Sequence, residues 1–265
     1  MARITLHTLD RRRASGEKIV CLTAYDSTHA LLVSSQGCDV ILVGDSLGNV
    51  VQGHDSTVPV TIDDMVYHTR CVARGNSDSL VMVDLPFMSF STAEQACANA
   101  ARLMQAGAEV VKLEGGRWLC PTIESLSERG VPTCVHLGLT PQSVSMLGGY
   151  RVQGRDSDSA GRLLEDARLL EQAGARLLLL ECVPASLAAT ITAEVGVPVI
   201  GIGAGPDTDG QILVLYDLLG LTPSSPPRFV KNFMAQSATP AEAVGAYVAA
   251  VRKGLFPAVE HTFSQ

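Results

Sequence analysis

The reading of QAGARLLLLE, residues 172–181, decides the fold. Four consecutive leucines are apolar on both faces, as in a strand of a parallel sheet, and the Ala-Gly-Ala junction before them stops a helix. The strand then ends in a carboxylate, Glu181. Burying a lone carboxylate is costly unless it is paired, neutralised or at work. A near-copy stands upstream: QAGAEVVKLE, residues 105–114, ends in Glu114. Ala-Gly-Ala turns are common, and chance similarity is the alternative to a true repeat. Two helix-to-strand joints of one design predict two glutamates at equal height, each at the carboxyl end of its strand.

Working outward, short apolar runs recur: KIVCLTAY (18–25), DVILVGDS (39–46), SLVMVDLP (79–86), EVVKLEGG (109–116), PTCVHLGL (132–139), RLLLLECV (176–183), PVIGIGAG (198–205) and QILVLYDL (211–218). Helix-like stretches separate most of them. STAEQACANAARLMQAGA has Ser91 or Thr92 as N-cap and Gly107 as stop; AGRLLEDARLLEQAGA and PASLAATITAEVG read alike. Strands buried on both faces and alternating with helices predict an α/β fold, a (β/α)8 TIM barrel, with an open doubly wound sheet as the alternative. The 265 residues suit a single domain spanning 1–265. A chain this long buries enough surface to fold without a disulfide or metal.

Composition narrows the partners. The chain is 46% hydrophobic and 18% charged, with net charge −7, which argues against nucleic acid or an anionic membrane. So low a charged fraction fits a surface partly covered by other subunits. Seven scattered cysteines without a CxxC pattern read as small buried hydrophobes in a reducing compartment. The N-terminal MARITLHTLDRRRASGEK lacks the apolar core of a signal peptide, and no apolar run approaches the length of a membrane span. The expectation is a soluble, cytoplasmic protein.

Barrel active sites lie at the carboxyl ends of the strands. There stand Asp45, Asp84, Lys112 with Glu114, His136 and Glu181. Lys112 and Glu114 are two apart and share a strand face; by the same alternation Val43 goes with Asp45 and Met82 with Asp84. Any one of these could be a structural ion pair, but strand ends need no such crowd of acids. Clustered carboxylates without a Cys/His pattern suit a hard, oxygen-loving cation such as Mg²⁺. Asp45, Asp84 and Glu114 are the candidate metal set, with Lys112 adding positive charge where a substrate oxygen turns negative. A carboxylate held among leucines is a stronger base than a surface one, which suits Glu181 to proton abstraction. The pattern suggests metal-assisted enolisation of an oxo acid.

Other motifs weigh less. GIGAG (201–205) could cradle phosphate, but tight turning explains it at least as well. GDSLGNVVQGHDST (44–57) is a polar loop in which His54 and Asp55 read as a solvated pair, and QGRDSDSAG (153–161) and TPSSPP (222–227) read as mobile surface loops.

Ten segments in order carry a family resemblance: TAYD (23–26), LVGDSLG (42–48), QGHDST (52–57), DLPFMS (84–89), VKLEGG (111–116), HLGLTPQS (136–143), GGYRVQGR (148–155), LLECVP (179–184), VIGIGAG (199–205) and DGQILVLYD (209–217). They resemble the ketopantoate hydroxymethyltransferase family over nearly the whole chain, with 222–227 departing in its prolines. The resemblance implies a barrel of the phosphoenolpyruvate-mutase type. It also implies hydroxymethyl transfer from methylenetetrahydrofolate, the co-substrate, to 3-methyl-2-oxobutanoate, giving 2-dehydropantoate for pantothenate and coenzyme A biosynthesis. By matched motifs, Asp45, Asp84 and Glu114 are implied to hold one Mg²⁺ per subunit, some through water. Asp45, Ser46, Asp84 and Lys112 are implied to bind the oxo acid, with His136 nearby, and Glu181 to accept the proton. The resemblance further implies a homo-oligomer, since members of the family commonly assemble as homodecamers. An oxo-acid C–C or C–P lyase or mutase of the same superfamily is the alternative. A catalytically silent barrel would be expected to lack strand-end acids, and none is missing.

Overall fold

The computed structural model describes residues 3–149, 151–222 and 226–264. Each apolar run forms a strand: β1 Ile19–Thr23, β2 Val40–Val43, β3 Leu80–Asp84, β4 Val110–Glu114, β5 Thr133–Gly138, β6 Leu177–Glu181, β7 Val199–Ile202 and β8 Gly210–Leu213. All pair in parallel in sequence order, and β8 returns to β1, closing a barrel rather than an open sheet. A ladder followed once around from Thr23, extrapolated along the strands, returns to β1 at Ser15, eight residues earlier. That is the shear of a TIM barrel, one residue per strand on average.

The shear explains the sequence echo. Glu114 pairs with His136, and His136 with Leu179, so Glu181 lies two residues farther along, two strands away. At one residue per strand the two glutamates stand at the same height. Gly107 and Gly174, at φ +118° and +106°, make the two matching turns, in a region that favours glycine.

The outer helices carry their own caps. Thr92 caps Ala93–Ala106, accepting from the Gln95 N–H. The helix before β6 starts earlier than its apolar pattern: Asp156 caps Ser157–Gln172, so much of 153–161 is helix and not loop. The eighth run is half strand, since Leu215–Leu218 turns helical, and only the loop 203–209 joins β7 to β8. In that loop Gly203 has φ +61° and its missing Cβ would lie 2.9 Å from Phe229, so tight packing accounts for the glycines. Cys21, Cys38, Cys134 and Cys182 are buried thiols; Cys71, Cys97 and Cys120 are half-buried. No helix among the described residues is long and apolar enough to cross a membrane. The core of the 222–227 departure, residues 223–225, lies outside the described residues.

The amino end of the barrel is closed by the helix Leu6–Ser15, which buries Leu9. Two of its three arginines are structural. Arg12 reaches Asp39 at 2.9 Å, and Arg13 reaches Asp209 at 3.2 Å. Asp39, 1% exposed, also receives Arg252 at 2.8 Å and the Val20 N–H at 2.9 Å. Its charge is therefore fully partnered, and removing it leaves the two guanidiniums sharing only the half-exposed Glu17, at 2.6 and 2.8 Å. Asp39→Ala should lower stability by about 3 kcal/mol, because the two partly buried guanidiniums lose their buried anion and keep only an exposed one. A urea midpoint measures this; a loss below about 1 kcal/mol contradicts it.

Candidate active site

The opposite end of the barrel is charged differently. Asp45, Ser46, Asp84, Lys112, Glu114, His136 and Glu181 all line one cavity of about 660 Å³ at the carboxyl ends of the strands. Register makes the closest contacts: Asp84 pairs with Lys112, and Glu114 with His136, so their side chains stand side by side on the inner face.

Lys112 Nζ lies 2.6 Å from Asp84 Oδ1 and 3.7 Å from Glu114 Oε1. The first contact is a buried ion pair at hydrogen-bonding distance. His136 bridges the two glutamates of the sequence echo. Its Nδ1 is 3.2 Å from Glu114 Oε1, and its Nε2 is 3.3 Å from Glu181 Oε2. Glu181 is less enclosed than the leucine run predicts. Its side chain is 14% exposed, because Leu179 and Glu181 face the cavity at its wall while the other leucines pack the sheet.

Asp45 arrives by another route than strand alternation. Leu42, and not Val43, lines the cavity, so alternation would turn Asp45 outward. The strand ends at Val43, and the chain turns at Gly44, where a Cβ would come within 2.8 Å of Ser46 Oγ. The Asp45 N–H then donates to Asp84 Oδ2 at 2.9 Å. Ser46 Oγ is 2.8 Å from the hydroxyl of Tyr25, which is 1% exposed.

Two contributors escape sequence reasoning, Tyr25 and Gln142. The Gln142 N–H donates to Glu114 Oε2 at 3.0 Å, and its side-chain amide donates to Asp45 Oδ2 at 2.8 Å and to the Leu85 carbonyl at 3.0 Å. Both residues sit inside quoted segments, TAYD and HLGLTPQS, but neither is charged. His54 and Asp55 are exposed; Asp55 reaches only the cavity lining and neither joins the charged cluster.

Four carboxyl groups thus face one ammonium and one imidazole. Burial pushes the Asp45 carboxyl well above its ordinary range, and Asp84 and Glu114 beside it push the same way. Burial raises Asp84 too, against the pull of Lys112. Glu114 goes down, because His136, Lys112 and the Gln142 N–H outweigh its burial. Burial and Lys112 work against charge on His136, yet Glu114 and Glu181 prevail and carry it up to about 9. Lys112 is raised despite burial, by Asp84 first and then Glu114 and Asp45.

Does this set fit a divalent cation? Its donors are hard oxygens, and its four carboxyl groups outnumber one ammonium and one imidazole. Asp45 and Asp84 fit direct ligation. The three-acid cage read from the sequence is not assembled, however. Among the described residues no group of three or more His, Cys, Asp or Glu side chains stands ready to hold a metal ion. Glu114 is engaged by His136, Lys112 and the Gln142 N–H, as Asp84 is by Lys112 and the Asp45 N–H.

Known proteins resemble the chain along its full length. A sequence model of the ketopantoate hydroxymethyltransferase family matches residues 3–259. The 3-methyl-2-oxobutanoate hydroxymethyltransferase of Marinobacter nauticus is 61% identical over 260 residues, 98% of each chain. That of Shewanella loihica is 57% identical over 264 residues, 100% of each. Among solved structures, phosphonopyruvate hydrolase with oxalate and Mg²⁺ superposes with TM-score 0.62 over 80% of each chain at 13% identity. A 2,3-dimethylmalate lyase of the PEP mutase/isocitrate lyase superfamily gives 0.57 over 81% and 82% at 14% identity. The structural neighbours share the fold.

Removing the ammonium tests the charge balance. In Lys112→Met the folded state holds carboxyls raised above their unfolded values, so it binds more protons than the unfolded chain, and stability rises as pH falls. With chelator present, the variant should lose about 3 kcal/mol at neutral pH and recover part of it near pH 5.5. Urea titrations at both values measure this; an equal loss at both contradicts it.

Proposed function

The chain belongs to the ketopantoate hydroxymethyltransferase family, and on that premise we propose that it moves a hydroxymethyl group from methylenetetrahydrofolate to 3-methyl-2-oxobutanoate. The products are 2-dehydropantoate and tetrahydrofolate, with one water consumed. The observation that carries the reading is the convergence of all seven strand-end side chains on one cavity, in a chain 55–61% identical to relatives carrying that name.

Asp45 and Asp84 would hold Mg²⁺, with Glu114 reaching it through water; when bound, the ion supplies Lewis-acid polarisation of the keto acid. Lys112 and Ser46 orient the oxo acid, and the ammonium stands where negative charge grows on the keto oxygen. Glu181 takes the proton from C3 of the acid, held in place by His136 on one side and open to the cavity on the other. The C3 carbon nucleophile then attacks the one-carbon unit of the folate. Tyr25 and Gln142 keep Ser46 and Asp45 in position. Assembly as a homodecamer in the cytoplasm belongs to the same reading. Exposed Leu31, Tyr67 and Trp118 support an associating surface.

The partial reaction isolates the base. Wild type with Mg²⁺ should exchange the C3 hydrogen of 3-methyl-2-oxobutanoate with D₂O, followed by NMR. Glu181→Gln should keep the fold and lose exchange by about 10²–10⁴-fold, the usual worth of a positioned base. Undiminished exchange reassigns the base.

A further inference from the structure

The cavity is zoned in a way the chemistry of a small oxo acid does not use. Its floor carries the buried charges. Its wall is apolar and aromatic, formed by Leu139, Val152, Ile202, Val214, Phe229 and Phe263. Its mouth carries two exposed arginines, Arg151 and Arg228. Neither arginine pairs with a carboxylate among the described residues, although the chain is acidic overall, at net charge −7. Other exposed arginines, Arg117 and Arg168, do find acidic partners.

Arg228 is also held ready. Its Nε–H donates to the Glu260 carbonyl at 2.9 Å, and its guanidinium carbon stands 5.8 Å from the centre of the Phe263 ring. Backbone and ring anchor one edge, and the two terminal nitrogens are left without a protein acceptor among the described residues. A planar guanidinium fixed along one edge presents the other as a fork for a carboxylate. A ligand spanning this cavity therefore needs a reactive group at the strand ends, an aromatic body along the wall and an anionic far end.

We infer that Arg151 and Arg228 bind the glutamyl carboxylates of the one-carbon donor, whose aromatic pteroyl part lies along Phe229 and Phe263. The inference rests on the reading that the donor is a folate. It assigns the arginines to the donor and not to the oxo acid, whose recognition lies at the cavity floor.

The test compares two donors, methylenetetrahydrofolate and methylenetetrahydropteroate, which lacks the glutamyl group, in wild type and the double variant Arg151→Ala/Arg228→Ala. Two exposed charge pairs are worth about three- to tenfold together. The variant should raise the KM for methylenetetrahydrofolate by that factor, leave the KM for methylenetetrahydropteroate unchanged, and exchange the C3 hydrogen of the oxo acid at the wild-type rate. In wild type, rising salt should raise the folate KM; in the variant this dependence should flatten. An unchanged folate KM overturns the inference, as does equal weakening of both donors or a raised oxo-acid KM alone. Wild type exchanging C3–H but forming product with neither donor would overturn the folate reading itself.

Discussion

The structure depends on an imbalance of charge held out of water. Asp45, Asp84 and Glu114 are each at most 5% exposed, and Lys112 is the one ammonium among them. Leaving an ion unpaired in such a place costs several kcal/mol. The barrel tolerates it by dividing the work. Lys112 neutralises Asp84, Gln142 serves Asp45 and Glu114 together, and His136 links Glu114 to Glu181. What is left over is a surplus of carboxyl groups bearing hard oxygens, the donors a divalent ion prefers.

The two ends of the barrel handle charge in opposite ways. At the amino end Asp39 has two guanidiniums and a backbone N–H, so its charge is spent on holding the N-terminal and C-terminal helices to the strands. At the carboxyl end acids outnumber cations, and the surplus faces a cavity. This division follows the general pattern of the fold, in which one face serves stability and the other chemistry. It also gives the four leucines before Glu181 their purpose: they build a rigid strand whose last side chain reaches the cavity wall, clear of the packed layer.

Much of this was legible in the residues. Apolar runs two-sided in their burial, spaced by helices, predict parallel strands with a barrel preferred to an open sheet, and the repeated QAGA string marks two turns that place Glu114 and Glu181 at one height. Period-two alternation correctly paired Lys112 with Glu114 but misled for Asp45, because the strand had already ended and the turn at Gly44 sets that side chain's direction. Gln142 and Tyr25 were invisible for a different reason. An uncharged amide or phenol reveals its role only through the partner that folding brings to it, here from residues 97 and 21 positions away. The start of the helix at Ser157 was hidden by a polar first turn that resembles a loop until Asp156 is seen capping it.

The central claim is that the oxo acid is recognised jointly by these side chains and a divalent ion. Calorimetric titration of 3-methyl-2-oxobutanoate into the protein, without folate, tests it most directly. The account predicts saturable binding with Mg²⁺ present and its loss in excess chelator. Equal binding under both conditions, or none with Mg²⁺, would contradict it.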